Sequence, residues 1–321
     1  MTTRSRDLPA PPAERRRFAI PAALVLAAGL GGCSRGVLAP VGPVGASQRL
    51  ILFDAVVIMM CIVVPTIVAT LAFAWWFRAG NPKARRLPTF AFSGKVEVVT
   101  WSVPLLTIVF LGGIAWVGSH ELDPARPLSP PVADPAAKPL EVQVVALDWK
   151  WLFIYPDQGV ASLNRLVIPA RTPLHFSLTS ASVMNTFFVP QLGSMIYVMN
   201  GMADQLNLQA DREGTFPGLS GHFSGDGFSD MHFDTVAMGQ DGFAAWTAAA
   251  RCQGPSLDAA AYGRLARQST GDPPMTYGAV DRDLFMRVVA QQIPPGPGPD
   301  PRAVTTTPAN KDPRFNAKAG G

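Results

Sequence analysis

The sequence contains few of the residues that bind metals or act as nucleophiles, with three cysteines and four histidines in 321 residues. Cys33, Cys61 and Cys252 lie in different contexts, so no pair has the spacing of a zinc site and no disulfide framework is visible. A nucleophile–base arrangement, a glycine-rich phosphate loop and a distinctive pair of carboxylates are also missing. These absences leave no self-contained catalytic site of those kinds.

Charged residues make up only 16% of the chain, and they are unevenly distributed. Residues 1–32 contain five basic and two acidic residues, and residues 78–97 contain five basic residues and one acidic residue. From His120 to the C-terminus, the chain contains fifteen basic and nineteen acidic residues, so this part has a net negative charge. A nucleic-acid surface needs basic residues clustered on a folded face. We therefore expect no nucleic-acid partner.

Residues 1–32 predict a secretory leader, with a basic start and an apolar stretch from Phe18 to Leu30. That stretch is shorter than the ~20 apolar residues of a membrane span. It ends in Leu30-Gly31-Gly32-Cys33, which resembles the bacterial lipobox, in which the cysteine becomes the acylated first residue of the mature protein. We predict lipidation at Cys33. The alternatives are an uncleaved anchor and an ordinary signal peptide with a chance cysteine.

Two uncharged apolar stretches follow, at about 55–77 and 98–117. Each is long enough to cross ~30 Å of hydrocarbon. The first ends in Trp75-Trp76, a pair typical of a membrane interface. A soluble core helix of this length would show a polar stripe, and neither stretch does. We predict a two-helix transmembrane hairpin with an internal proline, Pro65 or Pro104, in each helix.

The loop between these stretches, 78–95, is the most basic short loop of the chain. The positive-inside rule places it in the cytoplasm. The mature N-terminus and everything after Val117 are then periplasmic, which agrees with acylation on the outer face. We expect a multi-pass, lipid-anchored protein of the bacterial inner membrane with a large periplasmic domain.

After the hairpin the composition changes three times. A Pro/Ala-rich stretch predicts an extended linker, and short alternating runs with turn signals then predict a β sandwich or barrel. Helical apolar spacing follows at 255–290, before a Pro/Gly-rich end typical of disorder. The predicted segments are the leader (1–32), an N-terminal segment with the hairpin (33–119), the linker (120–139), the β domain (140–250), a helical C-terminal extension (251–292) and the tail (293–321).

The stretch from Gly221 to Asp234, read together with Val183 to Pro190, resembles subunit II of the haem–copper terminal oxidases. In members that accept electrons from cytochrome c, this loop carries two cysteines, a histidine and a methionine. With a further histidine upstream, these residues hold a two-copper centre. The resemblance covers roughly residues 30–290. It implies a mainly-β, cupredoxin-like periplasmic domain after the transmembrane hairpin.

The positions matching the copper ligands are Asn185, Phe223, Gly227, Met231 and Asp234. Copper needs thiolate, imidazole or thioether donors, and one methionine cannot hold two ions. The resemblance is therefore closer to the quinol-oxidising, cytochrome bo-type branch, in which subunit II keeps the fold and has lost the copper. It implies no metal, cofactor or catalytic residue in this subunit. Haems and one copper ion are expected in subunit I.

Other residues near the loop have ordinary explanations. His222 and His232 lie one residue from matched positions, but a blue-copper site needs a cysteine thiolate, and we interpret them as loop histidines. The methionines of the β domain predict packing at a subunit contact in preference to copper(I) binding. Four aspartates keep open the docking of a basic cytochrome, although a solvated loop is the usual explanation. They are Asp226, Asp230, Asp234 and Asp241.

Two further assignments come from the resemblance. Glu97 lies where the predicted cytoplasmic loop enters the second span, and in the family a glutamate at the matching place lies near a proton-uptake channel of subunit I. An interfacial carboxylate without function is the alternative. Asp148-Trp149-Lys150-Trp151 matches the family's aromatic strand. Core packing explains these tryptophans, and the resemblance implies that Trp149 and Trp151 face subunit I.

We predict subunit II of a proton-pumping ubiquinol oxidase, a structural subunit of a complex that oxidises quinol and reduces oxygen to water. Quinol is lipid-soluble and can deliver electrons directly to subunit I, so a periplasmic copper port is unnecessary. The expected partners are subunit I, smaller oxidase subunits and membrane lipid. Two alternatives remain: a cytochrome c oxidase subunit II with a degenerate copper site, and a non-enzymatic membrane lipoprotein for oxidase assembly or copper handling.

Overall fold

The computed structural model describes residues 36–85, 87–128, 138–294 and 296. The predicted leader with Cys33, part of the predicted linker and nearly all of the predicted tail lie outside the described residues.

Two long helices form the hairpin, α1 (Pro43–Trp76) and α2 (Gly94–Glu121). Both are long and apolar enough to cross a membrane, and both continue through their internal prolines. α1 begins about three turns before the predicted span, which starts at residue 55. The helices approach closely at Gly118, where a Cβ atom would lie 2.8 Å from Cδ1 of Ile51.

The β domain consists of two main sheets. Its strands are β1 (Leu140–Leu147), β2 (Lys150–Tyr155), β3 (Val160–Leu163), β4 (Arg165–Pro169), β5 (Leu174–Ser180), β6 (Asn185–Phe188), β7 (Ile196–Val198), β8 (Asp204–Leu208), β9 (Gly214–Ser220), β10 (His232–Met238), β11 (Ser256–Leu257), β12 (Met275–Tyr277) and β13 (Ala279–Val280). The larger sheet has the order β12-β3-β2-β1-β5-β8 and the smaller β4-β10-β9-β6-β7, while β11 pairs with β13. Strands β1 and β5 are parallel, as are β4 and β10.

Strand β2 is buried on both faces, which explains its alternation of aromatic and aliphatic residues. Trp151, Phe153 and Tyr155 belong to the core between the two sheets. Leu152 and Ile154 belong to a second core beneath the C-terminal extension. Side chains of a strand point alternately to opposite faces, so one strand supplies both cores.

The C-terminal extension contains three helices, α3 (Gln240–Gln253), α4 (Ala259–Leu265) and α5 (Leu284–Val289). The predicted boundary at 250 falls inside α3. The helical prediction for 255–290 is only partly right, because Gly271 to Pro274 interrupts the helices and β12 then joins the edge of the larger sheet. The extension is thus built into the β domain.

The start of α1 is attached directly to the β domain by backbone hydrogen bonds. The Val41 N–H donates to the Gln191 carbonyl at 2.7 Å, and the Asp211 N–H donates to the Val41 carbonyl at 2.7 Å. Beyond α2, the Pro124 carbonyl accepts from the Asn207 N–H at 2.9 Å. The predicted linker therefore begins inside α2 and is tied to strand β8 soon afterwards.

Candidate functional site

The five positions matched to copper ligands lie around one end of the smaller sheet. Asn185 begins β6, and the others lie between the end of β9 and the first residues of β10. Strand β6 pairs with β9, and β9 pairs with β10. The Ser220 hydroxyl donates to the Asn185 amide oxygen at 3.4 Å. The fold therefore brings the upstream position to the loop.

The side chains at these positions differ in direction. Asn185 and Met231 are buried, whereas Phe223 is 72% exposed and Asp234 is also exposed. The Ser224 hydroxyl contacts the sulfur of Met231 at 3.9 Å. Within the described parts of the chain, no group of three or more His, Cys, Asp or Glu side chains could hold a metal ion.

Trp149 covers the loop from the corner between β1 and β2. Its φ of 62° lies in the left-handed region, which turns the chain sharply at this corner. The indole Nε1–H donates to the Ser224 carbonyl at 3.0 Å. A Cβ atom on Gly227 would lie 2.3 Å from the indole and 2.6 Å from Cγ2 of Thr270. The indole and the C-terminal extension thus close the space above Gly227.

Trp151 does not lie at a surface. It has no exposed area, and its ring makes edge contacts with Phe187 and Phe233 at 5.6 Å between centroids. The implied contact of Trp151 with subunit I is therefore corrected: the β2 alternation places this side chain between the sheets, where it packs in the core. Trp149 is 9% exposed, and its contact with subunit I stays a prediction.

Lys150, between these tryptophans, is a buried cation. Its ammonium donates to the Arg267 carbonyl at 2.9 Å and to the Ser269 hydroxyl, and it lies 3.1 Å from a carboxylate oxygen of Asp272. The Asn164 amide donates to the Asp272 carbonyl at 2.9 Å. We name this arrangement the lysine latch, because it fastens the extension over the corner that carries Trp149.

Two opposing effects set the pKa of Asp272. Burial raises it, but the hydrogen bonds from Ser269 and Lys150 and the charge of Lys150 together hold the pKa below its usual range. This cluster of Lys150, Ser269 and Asp272 was not predicted from the sequence. The available signal was a lysine between two aromatic residues in a strand, because a buried lysine needs a partner.

The side chains of the remaining candidate residues are exposed or half-buried. The ring of His222 lies 6.0 Å from that of Tyr197, and His232 is exposed at the start of β10. Glu97 is exposed in the first turn of α2. A carboxylate there also interacts favourably with the helix dipole.

Two family models match the chain. Residues 157–237 match the model described as cytochrome c oxidase subunit II, periplasmic domain, and residues 251–296 match the COX aromatic rich motif. The chain is 47% identical over 263 residues to the ubiquinol oxidase subunit 2 of Acetobacter aceti, covering 82% of this chain and 84% of that protein. It is 44% identical over 262 residues to the cytochrome bo(3) ubiquinol oxidase subunit 2 of Pseudomonas aeruginosa, covering 82% of this chain and 78% of that protein.

The chain belongs to the ubiquinol oxidase subunit II family. The predicted resemblance and fold class are confirmed. Among solved structures, the periplasmic domain of cytochrome oxidase subunit II of Bradyrhizobium japonicum is similar at 23% identity and a TM-score of 0.35, covering 37% of this chain and 97% of that one. In this subunit II chain, the lysine latch joins β2 to the aromatic rich motif, because Arg267, Ser269 and Asp272 all lie within residues 251–296.

Proposed function

We propose that this chain is the structural, non-catalytic subunit II of a proton-pumping ubiquinol oxidase that oxidises quinol and reduces oxygen to water. One observation carries the proposal: the fold retains the matched loop, while Trp149 packs over Gly227 where the resemblance implies a copper thiolate. The names of the relatives support the same function. Haems and the one copper ion of the complex would lie in subunit I.

The proposal gives a physical reason for the altered loop. A soluble electron donor needs a redox centre near the periplasmic surface. Quinol reaches subunit I through the membrane, so the loop needs no metal donors and its positions are free to take packing residues. Met231 is buried, as expected of a packing residue, and offers a single thioether donor.

The test is oxygen uptake by the purified complex, with ubiquinol and reduced cytochrome c supplied separately. We expect uptake with ubiquinol and none with cytochrome c. Uptake with cytochrome c alone would favour a degenerate cytochrome c oxidase subunit, a possibility kept open by the exposed Asp226, Asp230 and Asp234. Absence of haem in the preparation would favour the assembly or copper-handling lipoprotein.

We also propose that Cys33 is lipidated at the outer face of the inner membrane, a proposal that requires residue 33 to lie within reach of the lipid. A guanidinium nitrogen of Arg49 lies 3.5 Å from the Leu38 carbonyl, so the chain near Leu38 runs beside α1. Five extended residues reach about 17 Å. Arg49 precedes the predicted span at 55 by roughly 9 Å of helix, at ~1.5 Å per residue. An acyl chain on Cys33 is therefore within reach of the outer leaflet.

We also propose that Glu97 assists proton uptake from the cytoplasm. It lies at the end of α2 adjoining the basic loop, which the positive-inside rule assigns to the cytoplasm. Ionisable residues at membrane boundaries are functional candidates, and the resemblance supplies the role.

A further inference from the structure

A cavity of about 370 Å³ lies where the ends of the two long helices meet the β domain. Its wall combines the start of α1, the segment that follows α2 and strand β8, which contribute Val44, Arg126 and Asn207 among others. Ligand pockets in proteins have volumes of ~300 Å³ and above, so the cavity is large enough for a small ligand group. None of the five matched positions is among the described residues that line it.

Hydrogen bonds hold the walls of this cavity together. The Pro124 carbonyl accepts from the Asn207 N–H at 2.9 Å and from the Asn207 side-chain amide at 3.1 Å. Gln48 of α1 donates a side-chain hydrogen bond to Ser194, which lines the cavity. The cavity is therefore preformed, and a preformed site lowers the ordering cost of binding.

The wall carries charges of both signs. The Ala125 N–H donates to Oδ1 of Asp123 at 2.9 Å, and the Arg126 N–H donates to the Asp123 carbonyl at 3.0 Å. Among the described residues, Arg126 is the only basic residue of the wall, and it forms no ion pair with another described residue. Glu121 adds a second carboxylate to the wall. These charges favour a ligand that carries a cation as well as an anion.

The predicted membrane span places the cavity at the level of the lipid headgroups. The two helices touch where Gly118 meets Ile51, and Glu121 lies almost one turn further along α2. The predicted span ends at 117, so Glu121 lies about 6 Å beyond the hydrocarbon, at ~1.5 Å per residue. The headgroup layer is about 5–8 Å deep on each side of the bilayer. The cavity therefore lies at the depth of the phosphate and amine groups of phospholipids.

We propose that this cavity binds the headgroup of an ethanolamine phospholipid of the outer leaflet, with Arg126 holding the phosphate and Asp123 the ammonium. A guanidinium forms charge-assisted hydrogen bonds to phosphate oxygens. Only Oδ1 of Asp123 accepts a hydrogen bond from a described residue, so Oδ2 is available to an ammonium N–H. A lipid held in this way would join α1, α2 and β8 at the membrane surface.

The chemistry of the wall also distinguishes between phospholipids. The primary ammonium of ethanolamine has three N–H donors, like that of a lysine side chain. The trimethylated ammonium of phosphatidylcholine has no N–H to donate to a carboxylate. Phosphatidylglycerol has no cation, and its negative charge is repelled by the two carboxylates of the wall. Phosphatidylethanolamine should therefore bind more tightly than either.

The test measures amide hydrogen exchange at residues 122–128 of the full-length chain, purified with its partner subunits, as short-chain phospholipids are added. We expect phosphatidylethanolamine to slow this exchange saturably, with phosphatidylcholine and phosphatidylglycerol binding more weakly. Arg126→Gln and Asp123→Asn should each weaken the apparent affinity at least ~10-fold, as for loss of a charge-assisted hydrogen bond. Asp123→Asn keeps a side-chain oxygen for the Ala125 N–H. The control is Arg85→Gln, which is exposed in the loop at the other end of the helices and should bind lipid as the wild type does.

The amide of Asn207 shows whether the variants keep the wall intact, because its N–H donates to Pro124. We expect unchanged protection there, and Arg126→Lys should recover part of the affinity because it restores the positive charge. Wild-type affinity in both Arg126→Gln and Asp123→Asn would overturn the inference.

The comparison of lipids on the wild-type chain needs no variant. Equal protection by the three phospholipids would indicate ordinary contact with the bilayer surface and overturn the inference. Glycerophosphoethanolamine, which has the headgroup without acyl chains, is the last arm. If it binds as tightly as the phospholipid, the ligand is a soluble phosphate ester and a membrane lipid is excluded.

Discussion

The indole of Trp149 lies so close to Gly227 that a Cβ atom at residue 227 would be 2.3 Å from Cδ2 of the ring. Trp149 adopts a left-handed backbone conformation, which costs roughly 1–2 kcal/mol for a non-glycine residue. The hydrogen bond from its indole to Ser224 and the packing over Gly227 offset this cost. The absence of a side chain at Gly227 is therefore a packing requirement of the corner.

We predict that Gly227→Ala destabilises the folded chain by about 1–3 kcal/mol, because the added methyl group must displace the indole or the Thr270 side chain. Thermal unfolding of the purified full-length protein measures the change. Gly263→Ala is the matched control: Gly263 lies in α4, a methyl group there would meet no atom within 4 Å, and alanine favours a helix by up to ~1 kcal/mol. Equal unfolding temperatures for the two variants would contradict the proposed packing.

The second prediction concerns the lysine latch. Asp272→Asn keeps hydrogen-bond acceptor capacity beside Lys150 but removes the negative charge. We expect a loss of about 1–2 kcal/mol at neutral pH, as for weakening a hydrogen bond to a charged group. The expected local result is faster protease cleavage within residues 267–272. Asp281→Asn is the control, because its ion pair with Arg287 is more exposed and contributes about 0–1 kcal/mol.

The pH dependence of the same variant gives an independent check. The pKa of Asp272 is lower in the folded protein than the ~3.9 of an unfolded chain. Its charge therefore stabilises the fold above about pH 4, and this stability is lost as the pH falls through the folded-state pKa. The difference in stability between wild type and Asp272→Asn should be constant near neutrality and shrink in acid. A difference that is independent of pH down to acid unfolding would exclude this role.

Local patterns predicted the hairpin and the strands whose residues alternate regularly. The apolar runs of α1 and α2 and the aromatic alternation of β2 are such patterns, since each depends only on neighbouring residues. Strand β9 lacks such a local pattern. Pro217 and Gly218 lie within β9 against ordinary strand preferences, and Gly218 is needed because the Phe233 ring occupies the space where a Cβ atom would be. Such a contact joins two strands and is invisible to a local pattern.

At the candidate site, too, features that depend on contacts between distant residues could not be predicted from local patterns. The matched ligand positions came from the resemblance to the oxidase subunit II family, and the resemblance did not predict their different burial. Whether Phe223 is exposed and Trp151 is enclosed depends on how the two sheets pack. The lysine latch depends on residues more than a hundred positions apart, so only the folded chain brings Lys150 to Asp272.

The third prediction concerns the attachment of α1 to the β domain. A Cβ atom on Gly42 would lie 2.1 Å from the Gln209 carbonyl oxygen, so Gly42→Ala must separate these segments. We expect amide exchange at Val41 and Asp211 to accelerate about 10-fold or more, equivalent to roughly 1.4 kcal/mol of local stability. Gly80→Ala in the loop between the helices, where a methyl group meets no atom, is the control. Unchanged protection at both amides would show that the attachment tolerates the methyl group.

The fourth prediction concerns Cys33. Mass spectrometry of the mature N-terminus should find an acylated cysteine at position 33 in the wild type and no acyl mass in Cys33→Ser. The variant should stay in the membrane fraction, because the two helices anchor it more strongly than acyl chains do. An unmodified wild-type terminus, or one that begins at another residue, would count against lipidation.

The last prediction separates a proton role of Glu97 from a helix-end role. A glutamate in the first turn of α2 stabilises the helix by only about 0.3–1 kcal/mol through its dipole, and this effect alone leaves turnover unchanged. If Glu97 assists proton uptake, Glu97→Gln should slow oxygen uptake and proton pumping about 2–5-fold, equivalent to a barrier increase of about 0.4–1 kcal/mol. Glu97→Asp should restore part of the rate, because it restores the titratable group. Glu121→Gln, at the opposite end of α2, is the control and should leave the rate unchanged. Full turnover and pumping in Glu97→Gln would leave the carboxylate with the helix-end role alone.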